Sequence, residues 1–334
     1  MNWGIIATGS IAGKFAATVN AMAGEGERLC AVASRDEARA KAFAAAHNIP
    51  KAYGSYEELL SDGTVDAVYI ATPNNMHYSN ASACLRAGKH VLCEKPFTTC
   101  AADAARLYAL AEEKGLFILE AFWIAFLPLY DELKKIIRSR EYGLLRHVRL
   151  EYGFIARGAR RGRKFDAALG GGALLDIGIY NLGFLRLVTG ANPEVFSSYV
   201  RMNEFGTDEF SAIQLRYPGG ITAHSVQTIG MQIERHAALF FDGATIYLPD
   251  FQHACRMTVK PAEGEGREIE RPFGINGFEY QIREVTRCAH AGKYCSDVFR
   301  PGDSVATISL NGRYTKVVEY EVPVRKISRC SVCG

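Results

Sequence analysis

The segment Trp3-Gly4-Ile5-Ile6-Ala7-Thr8-Gly9-Ser10-Ile11-Ala12-Gly13 begins as an apolar run and passes into a glycine-containing turn. A helical stretch, Lys14 to Met22, follows without a linker. Strand, tight turn and helix in immediate succession make the opening of a βα unit. The same alternation continues outward from it. Leu29 to Ala33 reads as a strand, Asp36 to His47 as an Ala-rich helix, and Tyr56 to Leu60 as a short helix. Ala67 to Ala71 is a third strong strand, and Met76 to Ala87 a helix stopped by Gly88. His90 to Cys93 reads as a buried strand, Asp103 to Lys114 as a helix closed by Gly115, and Phe117 to Leu119 as a further strand. Strands alternating with helices of this length predict a parallel, doubly wound α/β sheet, the Rossmann arrangement.

Beyond about residue 125 the pattern changes. Pro128 to Arg140 is amphipathic, and His147 to Tyr152 alternates as a half-buried strand does. Glu194 to Val200, Phe210 to Tyr217, Thr222 to Thr228, His236 to Phe241 and Thr245 to Leu248 are β-rich. Pro218-Gly219-Gly220 and Asp242-Gly243 read as hairpin turns between antiparallel neighbours. A chain of 334 residues exceeds what one hydrophobic core usually supports. The expected organisation is a dinucleotide-binding domain at 1–122 and an α+β substrate domain, with a mostly antiparallel sheet, at 123–334.

The first turn has the chemistry of a phosphate cradle. A dinucleotide fingerprint spaces its glycines as G-x-G-x-x-G/A between strand and helix. Ala7 replaces the first glycine, while Gly9 keeps the central one, where a missing side chain lets a pyrophosphate approach the backbone. Thr8, Gly9, Ser10 and Ile11 are therefore candidate cofactor contacts at a helix N-terminus that offers free N–H groups. After the second strand comes Ser34-Arg35, with Asp36 one position later. An acid there would bind the ribose 2′-hydroxyl of NAD, whereas a hydroxyl and an arginine suit the 2′-phosphate of NADP. NADP is the favoured cofactor and NAD the alternative; Asp36 also reads as the cap of the next helix. Thr72, Pro73, Asn74, Asn75 and His77 follow the third strand and are expected to border the cofactor. Turn chemistry, a helix cap at Asn75 and a satisfied histidine at His77 are the structural alternatives.

Glu94-Lys95-Pro96 closes a buried strand at the sheet edge where open α/β sheets bind ligands, which places Glu94 and Lys95 beside the cofactor. The proline biases Lys95 toward extended backbone. Farther on, Gly170-Gly171-Gly172-Ala173-Leu174-Leu175-Asp176-Ile177-Gly178-Ile179-Tyr180 reads as a helix entered through three glycines. Asp176 and Tyr180, four residues apart, share a face, and an acid beside a phenol can serve proton transfer.

Val91-Leu92-Cys93-Glu94-Lys95-Pro96 together with Gly171 to Tyr180 resembles the Gfo/Idh/MocA oxidoreductase family. Ile49 to Leu59 and Glu120-Ala121-Phe122-Trp123 match as well, and the likeness runs to roughly residue 220. The resemblance implies an N-terminal Rossmann domain and a C-terminal α/β domain whose open sheet often forms the interface of a homodimer or higher homo-oligomer. It implies hydride transfer between a nicotinamide cofactor and a hydroxyl of a sugar, cyclic polyol or trans-dihydrodiol. Lys95 and Tyr180 would be the catalytic pair, with Asp176 beside them and Arg163 near the cofactor. Many members carry histidine at the position of Tyr180. A phenol near pKa ~10 is a weak base, and a neighbouring Lys95 ammonium is expected to lower that value. The chain departs from the matching branch at Ile124-Ala125, where that branch has Thr-Arg, and at Ala7. Residues 325–334 have no counterpart.

The bulk composition adds bounds. A net charge of +3, from 39 basic and 36 acidic residues, is too weak to indicate nucleic acid. No uncharged run approaches the ~18 residues of a membrane helix, and no signal-like leader precedes the first strand. Nine scattered cysteines suit a reducing, cytoplasmic compartment. Cys330 and Cys333 supply only half of a zinc site, so no metal is expected. The alternative function is a nucleotide-binding sensor or regulator on the same fold, without catalysis.

Overall fold

The computed structural model describes residues 1–157, 162 and 164–314. Its first sheet has six parallel strands: β1 (Asn2–Ile6), β2 (Arg28–Ala33), β3 (Lys51–Tyr53), β4 (Ala67–Ile70), β5 (His90–Cys93) and β6 (Ile118–Glu120). They lie in the order β3-β2-β1-β4-β5-β6, the doubly wound Rossmann order. The chain leaves β1 toward one edge and returns through β4 toward the other, so a crevice opens beyond the ends of those two strands. Helices α1 (Ser10–Ala21), α2 (Glu37–His47), α3 (Tyr56–Ser61), α4 (His77–Arg86) and α5 (Ala101–Lys114) cover the faces. Local chemistry fixes their ends. The Asp36 carboxylate accepts from the Arg39 backbone N–H at 3.1 Å and caps α2. Ser55 and Glu58 form a reciprocal capping box on α3. Gly115 closes α5 in the left-handed conformation. Under α1 the rings of Phe15 and Tyr69 stack at 3.9 Å between centroids, with Trp3 edge-on at 5.2 Å. The sequence reading has no strand at β3. Three half-buried residues, one of them Lys51 turned to Asp62 at 2.8 Å, carry too little apolar alternation to register.

The second sheet has eight strands, ordered β14-β13-β12-β11-β7-β10-β9-β8. These are β7 (Leu145–Ile155), β8 (Glu194–Met202), β9 (Asp208–Arg216), β10 (Thr222–Thr228), β11 (Gly230–Phe241), β12 (Ala244–Leu248), β13 (Arg256–Pro261) and β14 (Arg267–Glu270). Every pairing is antiparallel except β7 with β10. Both expected hairpin turns are present: Pro218–Gly220 joins β9 to β10, and Asp242-Gly243 joins β11 to β12. The helix Ile179–Thr189 lies against this sheet. The stretch Ala167–Thr189 is apolar and long enough to cross a membrane by composition, yet 72% of its apolar window is buried inside the molecule. Its packing identifies it as a core element rather than a span.

The sequence assigns nothing after Leu248, where the chain turns back. Helix Glu279–His290 packs on α1, and helix Pro301–Tyr314 packs on α5. Arg283 forks onto Glu25 with two bonds of 2.7 Å, Thr286 donates to Glu27 at 2.8 Å, and Tyr108 meets Ser304 at 3.0 Å. A division at residue 122 therefore separates the two sheets, while the last helices bridge them: Pro301–Tyr314 also packs on helix Ile179–Thr189, where Arg186 pairs with Asp303 at 2.6 Å.

Candidate functional site

A cleft of about 690 Å³ runs from the β1–α1 turn to the start of helix Ile179–Thr189. Ala7, Thr8, Gly9, Ser10 and Ile11 form its outer floor. Gly9 has ordinary extended backbone, with φ −78° and ψ 176°, so its conformation does not require glycine. A Cβ there would meet no protein atom within 4 Å, which leaves space over the turn for a phosphate group rather than for packing. Helix α1 begins at Ser10 with no side-chain cap and no acid in its first turn, so its N–H groups and positive end face that space. Ala7 has φ 86°, the left-handed region that the missing glycine would occupy without strain.

Ser34, Arg35, Arg39 and Tyr56 also line the outer end. Asp36 is engaged at the helix cap and lies 3.4 Å from the Arg39 guanidinium. No acid from this strand end lines the cleft, and two arginines do. That donor set fits a 2′-phosphate.

Thr72, Pro73 and Asn74 form the wall after β4. Asn74 donates to the Gly170 carbonyl at 2.9 Å and so joins this loop to the glycine run. Of the other two residues expected in this wall, His77 lines it and Asn75 does not. Asn75 is exposed and borders a separate cavity of about 500 Å³ beside Thr99 and Gly170, away from the cofactor cleft. His77 borders the cleft but is fully buried, with Nδ1 2.8 Å from the Pro96 carbonyl and Nε2 3.0 Å from the Thr72 carbonyl. Its ring ties the loop after β4 to the loop after β5, so its task is to shape the wall. Arg163, like Cys330 and Cys333, lies outside the described residues.

At the inner end Lys95, Asp176 and Tyr180 converge, as expected from their chemistry. The Lys95–Pro96 peptide is cis. The Lys95 ammonium stands 4.8 Å over the Tyr180 ring, donates to the Asp176 carbonyl at 2.5 Å, and lies 3.6 Å from the Asp176 carboxylate. The same carboxylate pairs on its other oxygen with Lys164, a residue that no motif singled out. Glu94 is buried, accepting from the Tyr69 hydroxyl at 2.5 Å and from the Lys95 backbone N–H at 3.2 Å. Leu174–Gly178 winds as a π-helix before the α-helix starts at Ile179, a local widening common at functional sites. Gly183, one turn farther, lets the helix rest directly on Phe122: a Cβ there would stand 2.1 Å from that ring.

The electrostatics reverse one expectation. The Tyr180 phenol sits well above the ordinary tyrosine range, because burial penalises the phenolate and the Glu94 carboxylate repels it. Hydrogen bonds with Gln252 and with the Trp123 indole, the latter 3.2 Å long, oppose this without overcoming it. Lys95 is close, but its charge is shared with Asp176, and so it does not acidify the phenol. Tyr180 rests as a neutral phenol.

Lys14, Trp123, Gln252, His253 and Phe278 complete the inner wall. Trp123 lies in a stretch matched by resemblance, whereas Gln252, His253 and Phe278 come from loops without a motif. Only the fold brings them to the cleft.

The oxidoreductase family with an NAD-binding Rossmann fold (GFO_IDH_MocA) matches residues 1–122, and the GFO/IDH/MocA C-terminal domain matches residues 130–246. The trans-1,2-dihydrobenzene-1,2-diol dehydrogenase of Sus scrofa is 40% identical over 301 residues, covering 87% of this chain and 89% of that protein. The Homo sapiens enzyme of the same name is 34% identical over 336 residues, covering 98% and 99%. A crystal structure of a 3-ketoreductase from Actinomadura kijaniata, in complex with NADP and TDP-benzene, superposes with a TM-score of 0.83. It is 26% identical, with 93% of this chain and 96% of that one covered.

Proposed function

The chain belongs to the Gfo/Idh/MocA oxidoreductase family, and from that premise we propose an NADP-dependent enzyme that interconverts a ring hydroxyl and its ketone or lactone on a sugar, cyclic polyol or dihydrodiol. The observation that carries this reading is the meeting of Lys95, Asp176 and Tyr180 at the inner end of a cleft floored by the Gly9 turn. When bound, NADP supplies the hydride acceptor, or in its reduced form the donor, at that end. The free N–H groups of α1 hold its pyrophosphate, and Arg35 with Arg39 holds the 2′-phosphate.

In the reductive direction the neutral Tyr180 hydroxyl gives its proton to the carbonyl oxygen as hydride reaches the carbon. The hydrogen bonds from Gln252 and Trp123 then steady the phenolate until solvent returns the proton, while Lys95 is placed to hydrogen-bond the substrate oxygen. In the oxidative direction Tyr180 must first ionise, and its raised pKa makes that fraction small at neutral pH. Buried Phe122 and Trp123 exclude water from the reacting centre. The relatives named as diol dehydrogenases and as a 3-ketoreductase support hydroxyl–ketone chemistry.

Tyr180→Phe is expected to lower turnover about 10²–10⁴-fold while NADP still binds. In the wild type, the oxidation rate should rise about tenfold per pH unit through neutrality, whereas the reduction rate stays flat. Retained activity in the phenylalanine variant overturns the assignment of Tyr180; NADP binding with no turnover of any hydroxyl compound by the wild type supports a non-catalytic sensor.

The exposed Tyr199, Met202 and Phe205 at one edge of the second sheet support a homodimer, checked by sedimentation. The seven cysteines among the described residues are all free, which supports a reducing, cytoplasmic location.

A further inference from the structure

Among the described residues, Lys14 is the one cation of the cleft that the proposed chemistry leaves unused. Its ammonium stands 4.7 Å from the Trp123 ring centroid and 4.2 Å from that of Phe278. Among the described residues no carboxylate reaches it within ion-pair distance. The two nearest acids are committed elsewhere. Glu94 accepts from Tyr69 and the Lys95 backbone, while Glu279 accepts from the N–H groups of Ile275, Asn276 and Gly277 at 2.8, 3.1 and 2.7 Å. Burial holds the ammonium below the ordinary lysine range, although both carboxylates act against this. A half-desolvated charge framed by ring faces and open to a cavity lacks a counter-ion.

One indole connects this charge to the reacting centre. The Trp123 N–H donates to the Tyr180 hydroxyl while the face of the same ring carries Lys14. A substrate that reacts at Tyr180 and reaches past this indole meets Lys14. On this basis, which rests on the function proposed above, we infer that the enzyme takes an anionic substrate, a hydroxy compound of the sugar-acid class whose carboxylate pairs with Lys14. A phosphate calls for several donors, and the surroundings of Lys14 are ring faces, so the single ammonium suits a monoanion. Gln252 and His253, in the same wall, are placed to meet the hydroxyls of such a molecule.

The test measures binding of D-glucuronate and D-glucose to the full chain loaded with NADP. Glucuronate is expected to bind about tenfold to a hundredfold more tightly, and added salt should narrow that ratio. Lys14→Met, which keeps an apolar stem between the two rings, should abolish the ratio, and Lys14→Arg should restore most of it. Equal binding of the two sugars by the wild type, or no binding of glucuronate, overturns the proposal. So does a Lys14→Met variant whose NADP affinity falls more than its glucuronate affinity, since Lys14 would then serve the cofactor. If neutral sugars turn over while glucuronate is refused, this inference fails and the enzymatic function stands. If NADP itself does not bind, it is the function that fails.

Discussion

The two ends of the cleft are built in opposite ways. At the outer end backbone dominates: the Gly9 turn and the N–H groups of α1 form the floor, and among the described residues only Arg35 and Arg39 contribute charge. At the inner end side chains from six distant segments converge, carried by Lys14, Lys95, Trp123, Tyr180, Gln252 and Phe278. Backbone recognition tolerates change in any side chain that points away, and it fails when one is added over the turn. Side-chain recognition fails residue by residue. The difference predicts where single substitutions separate binding from stability.

The largest effect is expected from Gly9→Val. The extended φ and ψ of Gly9 admit valine, and a Cβ there touches no protein atom within 4 Å. The variant should therefore fold, with a thermal midpoint lowered by about a degree or two for valine as a helix N-cap, and bind NADP more than about a hundredfold less tightly, since the side chain stands over the turn. Normal cofactor titration in this variant would break the contrast between the two ends.

Arg35→Ala probes the exception, the charged contact within the backbone end. Removal of a bidentate guanidinium from a phosphate costs roughly 1.5–3 kcal/mol when the pair is partly shielded. Arg35 is exposed and Arg39 remains, so the lower bound applies: about a tenfold rise in the Michaelis constant for NADP, with that for NAD nearly unmoved. Equal effects on both cofactors would remove the assignment of a 2′-phosphate site.

The same contrast explains what could be read without coordinates. The outer end is local in sequence: strand, glycine, helix and the following Ser34-Arg35 announce themselves within a few residues. The parallel sheet followed from apolar strand cores, and only β3, an edge of three half-buried residues, escaped. At the inner end, Lys95 and the Asp176–Tyr180 pair were legible because a strand end and a helix face fix their directions. Gln252, His253 and Phe278 were not, because they reach the cleft through loops after β12 and β14 whose placement depends on the whole second sheet. The state of Tyr180 was misjudged for a related reason. Proximity to Lys95 was inferred, but burial, the Glu94 charge and the claim of Asp176 on that lysine are facts of packing. Asn75 turns away from the cleft because a loop sequence does not say which side chains point inward, whereas His77 lines it with its ring held between two carbonyls.

The smallest effect belongs to Ala7, and its sign tests whether the outer turn keeps glycine geometry under a different residue. With φ 86°, Ala7 occupies a region where a Cβ costs about 1–2 kcal/mol. Its N–H still donates to the Ala33 carbonyl at 3.0 Å, so the turn is held by the sheet against that preference. Replacing it with glycine relieves the strain but raises the entropy of the unfolded chain, which opposes the gain by about 0.4–1 kcal/mol. The net expectation for Ala7→Gly is a stabilisation of roughly 0.5–1 kcal/mol, a rise of about one degree in thermal midpoint for a chain of this size. NADP affinity should hold or improve, because the Gly9 floor is unmoved. A destabilised variant would mean that the alanine is not strained, and that the outer turn of this chain follows a geometry of its own.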